Sequence, residues 1–289
     1  MHAVSTSTLS ASTCPPLPAF TLDGMGKRLA ASAASALAVA GLIWAAGALY
    51  ATDRSVPAVE PTARGTRRVL AVFPHADDET VSCGGTLHRL ARAGCHVTLV
   101  VLTRGERGNP AGEPSLPLAG VRVEEARQAA AALGVARLVQ HDLGDGELAQ
   151  HRPQLARVLA EEIARTAPDL VITHDPTGVY GHEDHVACSD AVTEVCRTRF
   201  PGVTLWYAAL PARLHARVGL DPSLEPRRTP PTHRVWIGTG LVAKVRAWYG
   251  YRSQRRSLRE GLPPLVPAWV ALSMLPFEHF AEAVATHTQ

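Results

Sequence analysis

Apolar and polar positions recur in a regular order from Arg67 onward. Val69–Phe73 is a short uninterrupted apolar run, the pattern of a strand buried on both faces of a parallel sheet. Helical spacing follows from about Thr80 to Ala93, and Gly94 offers the residue that ends such a helix in a left-handed turn. The order then repeats. Strands are predicted at 96–102, 137–141, 170–173, 203–207 and 234–237, and helices at 121–133, 153–166, 185–199 and 241–251. Gly134 closes the second helix, and Pro153 suits the first turn of the third. Strands separated by helices of roughly 10–15 residues imply βαβ crossovers.

The first 66 residues do not share this pattern. Residues 1–28 are rich in Ser, Thr, Ala and Pro at their start and read as a disordered tail. Lys27 and Arg28 then precede 24 residues without a charge, Leu29 to Thr52. A helix of that length reaches roughly 35 Å, enough for a hydrocarbon core of about 30 Å. Residues 29–52 therefore read as a transmembrane anchor or as a signal segment, with Ala46-Gly47-Ala48 as a small-x-small cleavage pattern. Met25, directly before Gly26-Lys27-Arg28, is an alternative start that would leave a normal short basic leader. The two basic residues favour an N-terminus inside, which puts residues 67–289 outside the cytoplasm, anchored or secreted. A cytoplasmic location is less favoured. Residues 53–66, with Pro57, Pro61 and Gly65, read as a linker. The expected fold is α/β: a Rossmann-like open, mostly parallel sheet with helices on both faces, preceded by one N-terminal hydrophobic helix.

Composition narrows the function. Hydrophobic residues make up 46% of the chain and charged residues 19%, so a packed core is available. The 29 basic side chains nearly balance the 26 acidic ones, which leaves no concentrated basic face for nucleic acid. The arginines near 64–68 and 252–259 read as solvated faces. Five cysteines without a CxxC make a poor disulfide framework and read as small core residues.

Ionisable residues gather where the predicted strands end, the edge at which open α/β sheets bind ligands. Strand one runs into Pro74-His75-Ala76-Asp77-Asp78-Glu79, and strand two into Thr103-Arg104-Gly105-Glu106-Arg107. Strand three runs into His141-Asp142, with Asp145 beyond, and strand four into His174-Asp175 and then Tyr180-Gly181-His182-Glu183-Asp184-His185. His75 and Asp78 are three apart, as are His182 and His185, and such pairs share a face on a first helical turn. Imidazoles and a carboxylate converging from two turns suit Zn²⁺ with a position left for water; Fe²⁺ fits the same donors. Taken alone, the acidic triplet is equally what a helix dipole favours. Gly238-Thr239-Gly240-Leu241-Val242-Ala243 mimics a dinucleotide fingerprint, but too little chain follows for a cofactor domain.

Several segments together resemble the PIG-L/LmbE-like deacetylases. Pro74 to Glu79 followed by Gly84-Gly85-Thr86 resembles the signature of that family. Thr103 to Gly108, His182 to His185, Lys244 through Ser253-Gln254, and Pro276 to Phe280 resemble further segments. The match covers roughly residues 67–282. It implies a zinc-dependent hydrolase that removes acetyl from an N-acetylated amino sugar of the GlcNAc type. It implies His75, Asp78 and His185 as metal ligands, Asp77 as general base, His182 as the group stabilising the oxyanion, and Asp184 as its partner. It implies Tyr180 in the chemistry, with Ser82 and Arg122 on the sugar and Asp145 as a looser match. Arg104 is a further candidate for the substrate. Ala76 and Tyr251 depart from the family's usual Pro and His, and Tyr251 leaves substrate contacts near the C-terminus open.

The expected partner is a small-molecule, lipid-linked or glycan-linked amino sugar, with residues 29–52 as a route to a membrane. Two other readings keep the fold: a hydrolase of another amide, and a sugar- or metal-binding module without turnover. The long loops 104–120 and 211–232, the second with Arg213, Arg217, Arg227 and Arg228, suit a lid or an anionic aglycone as well as plain surface.

Overall fold

The computed structural model of the chain describes residues 23–109, 115–260 and 266–283. It divides into two compact units, residues 1–44 and 45–289. The tail expected at 1–28 lies largely outside the described residues, but its end does not. Helix α1 runs Asp23–Ala51, because nothing from Asp23 onward breaks a helix and the alanine-rich run favours one. Its apolar side chains in the smaller unit, Leu29, Leu37, Leu42 and Ile43 among them, are exposed, and an 18-residue window within Gly26–Ala51 reaches a mean hydropathy of 1.9.

The larger unit holds one seven-stranded sheet in the order β3-β2-β1-β4-β5-β7-β6. The strands are β1 (Arg68–Phe73), β2 (His96–Val101), β3 (Arg137–Gln140), β4 (Leu170–His174), β5 (Thr204–Ala208), β6 (His233–Trp236) and β7 (Phe277–Glu282). β1 to β5 are parallel, whereas β7 runs antiparallel to β5 and β6. Alternation along β1 explains the two cores. Val69, Ala71 and Phe73 face one layer, packed with Leu87, Leu90, Ala126, Leu133 and Ala247. Leu70 and Val72 face the other, packed with Leu155, Leu159, Ile163, Cys188 and Val192. Helices α2 (Asp78–Arg92), α3 (Leu116–Leu133) and α8 (Gly240–Gly250) cover the first face. Helices α4 (Arg152–Thr166) and α6 (Glu183–Arg199) cover the second. Cys83, Cys95, Cys188 and Cys196 are free and buried, as small core residues; Cys14 lies outside the described residues.

Strand order reverses between β1 and β4, so the chain leaves the sheet in opposite directions on either side of that pair. This is the switch point at which doubly wound sheets hold ligands. Two short elements, α5 (Gly178–Gly181) and α7 (Ala212–His215), a 3₁₀ turn at Pro222–Arg227, and helices α9 (Arg255–Glu260) and α10 (Ala268–Ser273) complete the described structure.

Two local readings need correction. β7 is absent from the apolar pattern because Glu278 and His279 are polar yet buried. The segment read as a linker is instead docked along the sheet's edge. Ala58 bridges Arg234 on β6, Val59 N–H donates to Arg234 O at 2.9 Å, and Asp53 N–H donates to His279 Nε2 at 3.0 Å. Covering the edge strand β6 in this way satisfies backbone groups that would otherwise stay open. Gly238-x-Gly240 serves packing: a Cβ on Gly240 would lie 2.5 Å from Gly85 O, where α8 crosses α2. Gly240→Ala is expected to cost about 1–3 kcal/mol, read as a lower urea midpoint at constant slope. An unchanged midpoint would mean the two helices part without cost.

Candidate metal centre

The switch point receives its first side chains from the turn after β1. Pro74 O accepts from Thr103 N and Oγ1 at 3.0 and 2.9 Å, which ties this turn to the end of β2. Asp77 sits at φ 118°, ψ −30°, a left-handed conformation that costs a non-glycine residue about 1–3 kcal/mol. Buried groups around it hold that shape. Glu79 Oε2 accepts from Asp77 N–H at 3.1 Å, while Glu79 Oε1 accepts from Tyr251 Oη at 2.7 Å and Thr80 Oγ1 at 2.5 Å. Arg122 donates to Ala76 O at 2.8 Å from beneath the turn. Asp77 makes no side-chain capping bond to α2, while Asp78 and Glu79 occupy its first turn as the helix dipole favours.

The strained turn points His75 and Asp78 at one spot. His75 Nδ1 lies 3.2 Å from His185 Nε2 and 3.4 Å from Asp78 Oδ2, and His185 Nε2 lies 3.3 Å from Asp78 Oδ1. A tetrahedral ion with bonds of 2.0–2.1 Å needs its ligand atoms about 3.3–3.4 Å apart. The far side of each ring is also engaged. His185 Nδ1 faces Gly178 O at 3.1 Å, and His75 Nε2 faces Asp145 Oδ1 at 3.0 Å and Asp184 Oδ2 at 3.1 Å. Such partners fix the tautomer and leave His75 Nδ1 and His185 Nε2 as lone pairs toward the cluster. The donor set therefore fits a divalent cation.

Charge follows this geometry. Burial opposes the charged form of His75, but Asp145, Asp184 and Asp78 outweigh it and hold its pKa well above the usual imidazole range. Burial likewise disfavours ionised Asp78, and His185, His174 and His75 reverse that, holding it well below the usual carboxylate range. Burial pushes Asp77 up to about 8, against the pull of Arg122 and with help from Asp78 and Glu79. Burial also lowers His182, with His75 adding to it.

Most of the expected residues converge, though several take different partners. His182 lies at the cluster, its ring centroid 4.9 Å from those of His75 and His185. It also caps α6, its Nδ1 accepting from Asp184 N–H at 3.2 Å. Asp184 does not partner His182 through its carboxylate. That group holds His75 and accepts from Gly146 N at 2.7 Å and Leu148 N at 3.0 Å. Asp145 is spent on His75 and on Arg107 N at 2.8 Å rather than turned to solvent. Arg122 is buried, with its guanidinium on Ala76 O, Gly105 O and the Asp77 carboxylate 3.7 Å away, not on an open sugar site. Tyr180 is 50% exposed at the rim, its ring edge-on to His185 at 5.1 Å. Ser82 Oγ is 3.5 Å from His174 Nδ1, and Arg104 pairs loosely with Asp142 at 3.6 Å. Tyr251 is wholly buried on Glu79 and so lies outside the substrate space.

His174 is a site residue that motif reading overlooks. It ends β4, stacks on His185 at 4.4 Å and 12°, and brings Nε2 to 3.6 Å from Asp78 Oδ1. Its place at a strand end is the available signal. Among the described residues, three trios lie within cation reach: His75, His182 and His185; Asp78, His174 and His185; and His75, Asp145 and Asp184.

Asp184→Asn is expected to weaken divalent-cation binding about 10–100-fold in a chelator-competition titration, because His75 loses part of its orientation. Unchanged affinity would show that Asp145 alone orients His75.

The fold and site define an α/β protein with an imidazole–carboxylate cation cluster at its switch point. Residues 70–196 match the PIG-L family, described as GlcNAc-PI de-N-acetylase. The chain is 36% identical over 159 residues to a 1D-myo-inositol 2-acetamido-2-deoxy-alpha-D-glucopyranoside deacetylase of Segniliparus rotundus, across 45% of this chain and 50% of that one. It spans about half the length of the curated relatives it matches. Among solved structures, the N,N'-diacetylchitobiose deacetylase of Pyrococcus horikoshii is similar at TM-score 0.54 and 24% identity, covering 76% of this chain and 85% of that one. The 4-carboxy-2-hydroxymuconate hydratase GalB of Pseudomonas putida KT2440 is similar at TM-score 0.53 and 20% identity, covering 77% and 98%. The fold thus accompanies more than one named activity.

Proposed function

We propose that the chain is a metal-dependent hydrolase that removes the acetyl group from an N-acetylated amino sugar conjugate of the GlcNAc type. The observation that carries this reading is the meeting of His75, Asp78 and His185 at 3.2–3.4 Å beside a carboxylate, Asp77, that is free of capping duty. The named activity of the Segniliparus relative supports the substrate class.

His75, Asp78 and His185 would hold Zn²⁺, or Fe²⁺, which suits the same donors. Such an ion supplies a water acidified towards neutrality and polarises an acyl oxygen. Asp77 takes a proton from the attacking water at its carboxylate and passes it to the departing nitrogen, and the burial that raises its pKa also makes it the stronger base. The C–N bond breaks, hydroxyl stays on the acetyl carbon, and the amine leaves with the proton. His182 keeps its ring proton on Nε2, because Nδ1 accepts a backbone N–H, and it donates from there to the oxygen that gains charge. A neutral donor is the form the site favours, since burial lowers this imidazole. Tyr180 at the rim assists in placing the acetyl group. Arg104 and Ser82 remain the candidates for hydroxyls of the sugar.

The test is metal content together with amine release from GlcNAc-inositol, GlcNAc-malate and lipid-linked GlcNAc by the full chain. Metal-dependent release of free amine from at least one is expected. A metal-loaded chain that releases none of them, yet hydrolyses another amide, would contradict the acetamido-sugar reading. A loaded chain without turnover on any amide would leave a binding module.

A further inference from the structure

The last turn of α1 belongs to the larger unit and is packed within it. Ala51 is buried, and Gly47 lies so close to Met274 that a Cβ would meet its Sδ at 2.5 Å. Tyr50 donates its hydroxyl to Arg213 O at 3.1 Å and accepts from Arg217 Nε at 2.8 Å. Both guanidinium groups also lie over its ring, 6.0 and 5.2 Å from the centroid. The strap from Asp53 to Val59 then continues along β6. Beside Tyr50 opens a cavity of ≈ 410 Å³, lined by Leu49, Arg54, Ser55, Pro211 and Arg213 and bordered by Asp53. The Asp53 carboxylate is turned onto Ser55, accepting from its N at 2.9 Å and its Oγ at 2.5 Å. Arg54, Arg213 and Arg217 are exposed.

We propose that α1 is retained as a membrane anchor, and that Arg54, Arg213 and Arg217 around Tyr50 form a seat for the headgroups of anionic phospholipid. Chain connectivity sets the depth. The charge-free run ends at Thr52, so a run that spans the hydrocarbon brings Tyr50 to the interface, and the groups bonded to Tyr50 come with it. A tyrosine with an apolar body and a polar tip suits that level. Each arginine near an anionic surface is worth about fivefold in binding. The small-x-small pattern at Ala46-Gly47-Ala48 lies within the helix and is packed at Gly47, which favours retention over cleavage. Nothing in this seat depends on amide chemistry at His75, Asp78 and His185.

The experiment places the full chain in nanodiscs of phosphatidylcholine alone, or with about one third phosphatidylglycerol, and follows amide exchange of residues 209–217. Slower exchange in the anionic discs is expected. Arg54→Gln with Arg213→Gln should remove most of that difference, about 25-fold in the docked population, and the paired Lys replacements should restore it. Arg54→Gln alone, at an exposed side chain, should cost about fivefold. Equal exchange in both discs would overturn the seat. So would equal protection of the detergent-solubilised chain by inorganic phosphate, which marks a soluble-anion site. Recovery of the chain from host membranes with Leu49 as its N-terminus would overturn retention.

Discussion

Asp77→Asn is expected to leave bound metal at the wild-type level and lower turnover by about 10²–10⁴-fold, or about 3–5 kcal/mol of barrier. Metal should survive because the proposed ligands are His75, Asp78 and His185, while the Asp77 carboxylate faces Arg122 at 3.7 Å. Turnover falls because an amide cannot accept and return the proton. The backbone at φ 118° tolerates this change well, since Asn is among the residues that enter left-handed conformations most readily. Asp77→Ala is the harsher variant and should add a stability loss. Equal loss of metal and activity in Asp77→Asn would make Asp77 a ligand. A near-normal rate would remove it from the proton path.

The second large effect concerns stability. Lys244 is buried, with Nζ 2.7 Å from Glu278 Oε1 and 2.8 Å from Val81 O. Glu278 in turn accepts from Gly85 N and Thr86 N at 2.9 and 2.7 Å. These bonds brace α2 where Cys83 leaves helical geometry at φ −149°, ψ 15°. Lys244→Met strands the Glu278 carboxylate among buried groups, and the expected cost is about 3–5 kcal/mol. Lys244→Met with Glu278→Gln should lose less than Lys244→Met alone, because the stranded charge is gone. A double variant no more stable than the single would mean that packing of the lysine stem dominates. Metal affinity should fall with the fold in both, since α2 begins at Asp78.

Much of this architecture is legible in the chain because apolar runs and capping glycines repeat. Val69–Phe73 and 170–173 read as buried strands for the same reason that they form the sheet's centre. Reading fails where polar residues have inward duties. β7 looks unlike a strand because Glu278 must face Lys244 and α2. The segment 53–66 looks like a linker because its prolines suit an edge, and edge pairing to Arg234 leaves no mark in local sequence.

The site shows the same division. His75, Asp78, His182 and His185 are legible from spacing at strand ends. Their second partners are not, because these come from distant turns. The family resemblance pairs Asp184 with His182, yet the first turn of α6 directs its carboxylate to His75 and the Gly146–Leu148 turn. Arg122 and Asp145 are charged residues that the family resemblance assigns to the substrate, and both are buried among partners from distant turns. His174 has no motif to flag it and is recognised through its stacking on His185.

In the proposed site, two histidine-bearing turns share one divalent cation. X-ray absorption at the metal edge of the full chain, wild type beside His185→Ala, tests it most directly. The expected wild-type shell has two imidazole nitrogens and carboxylate or water oxygens at about 2.0–2.2 Å, with no sulfur. In His185→Ala one imidazole is lost and affinity collapses. An unchanged shell and unchanged stoichiometry in that variant would contradict the account.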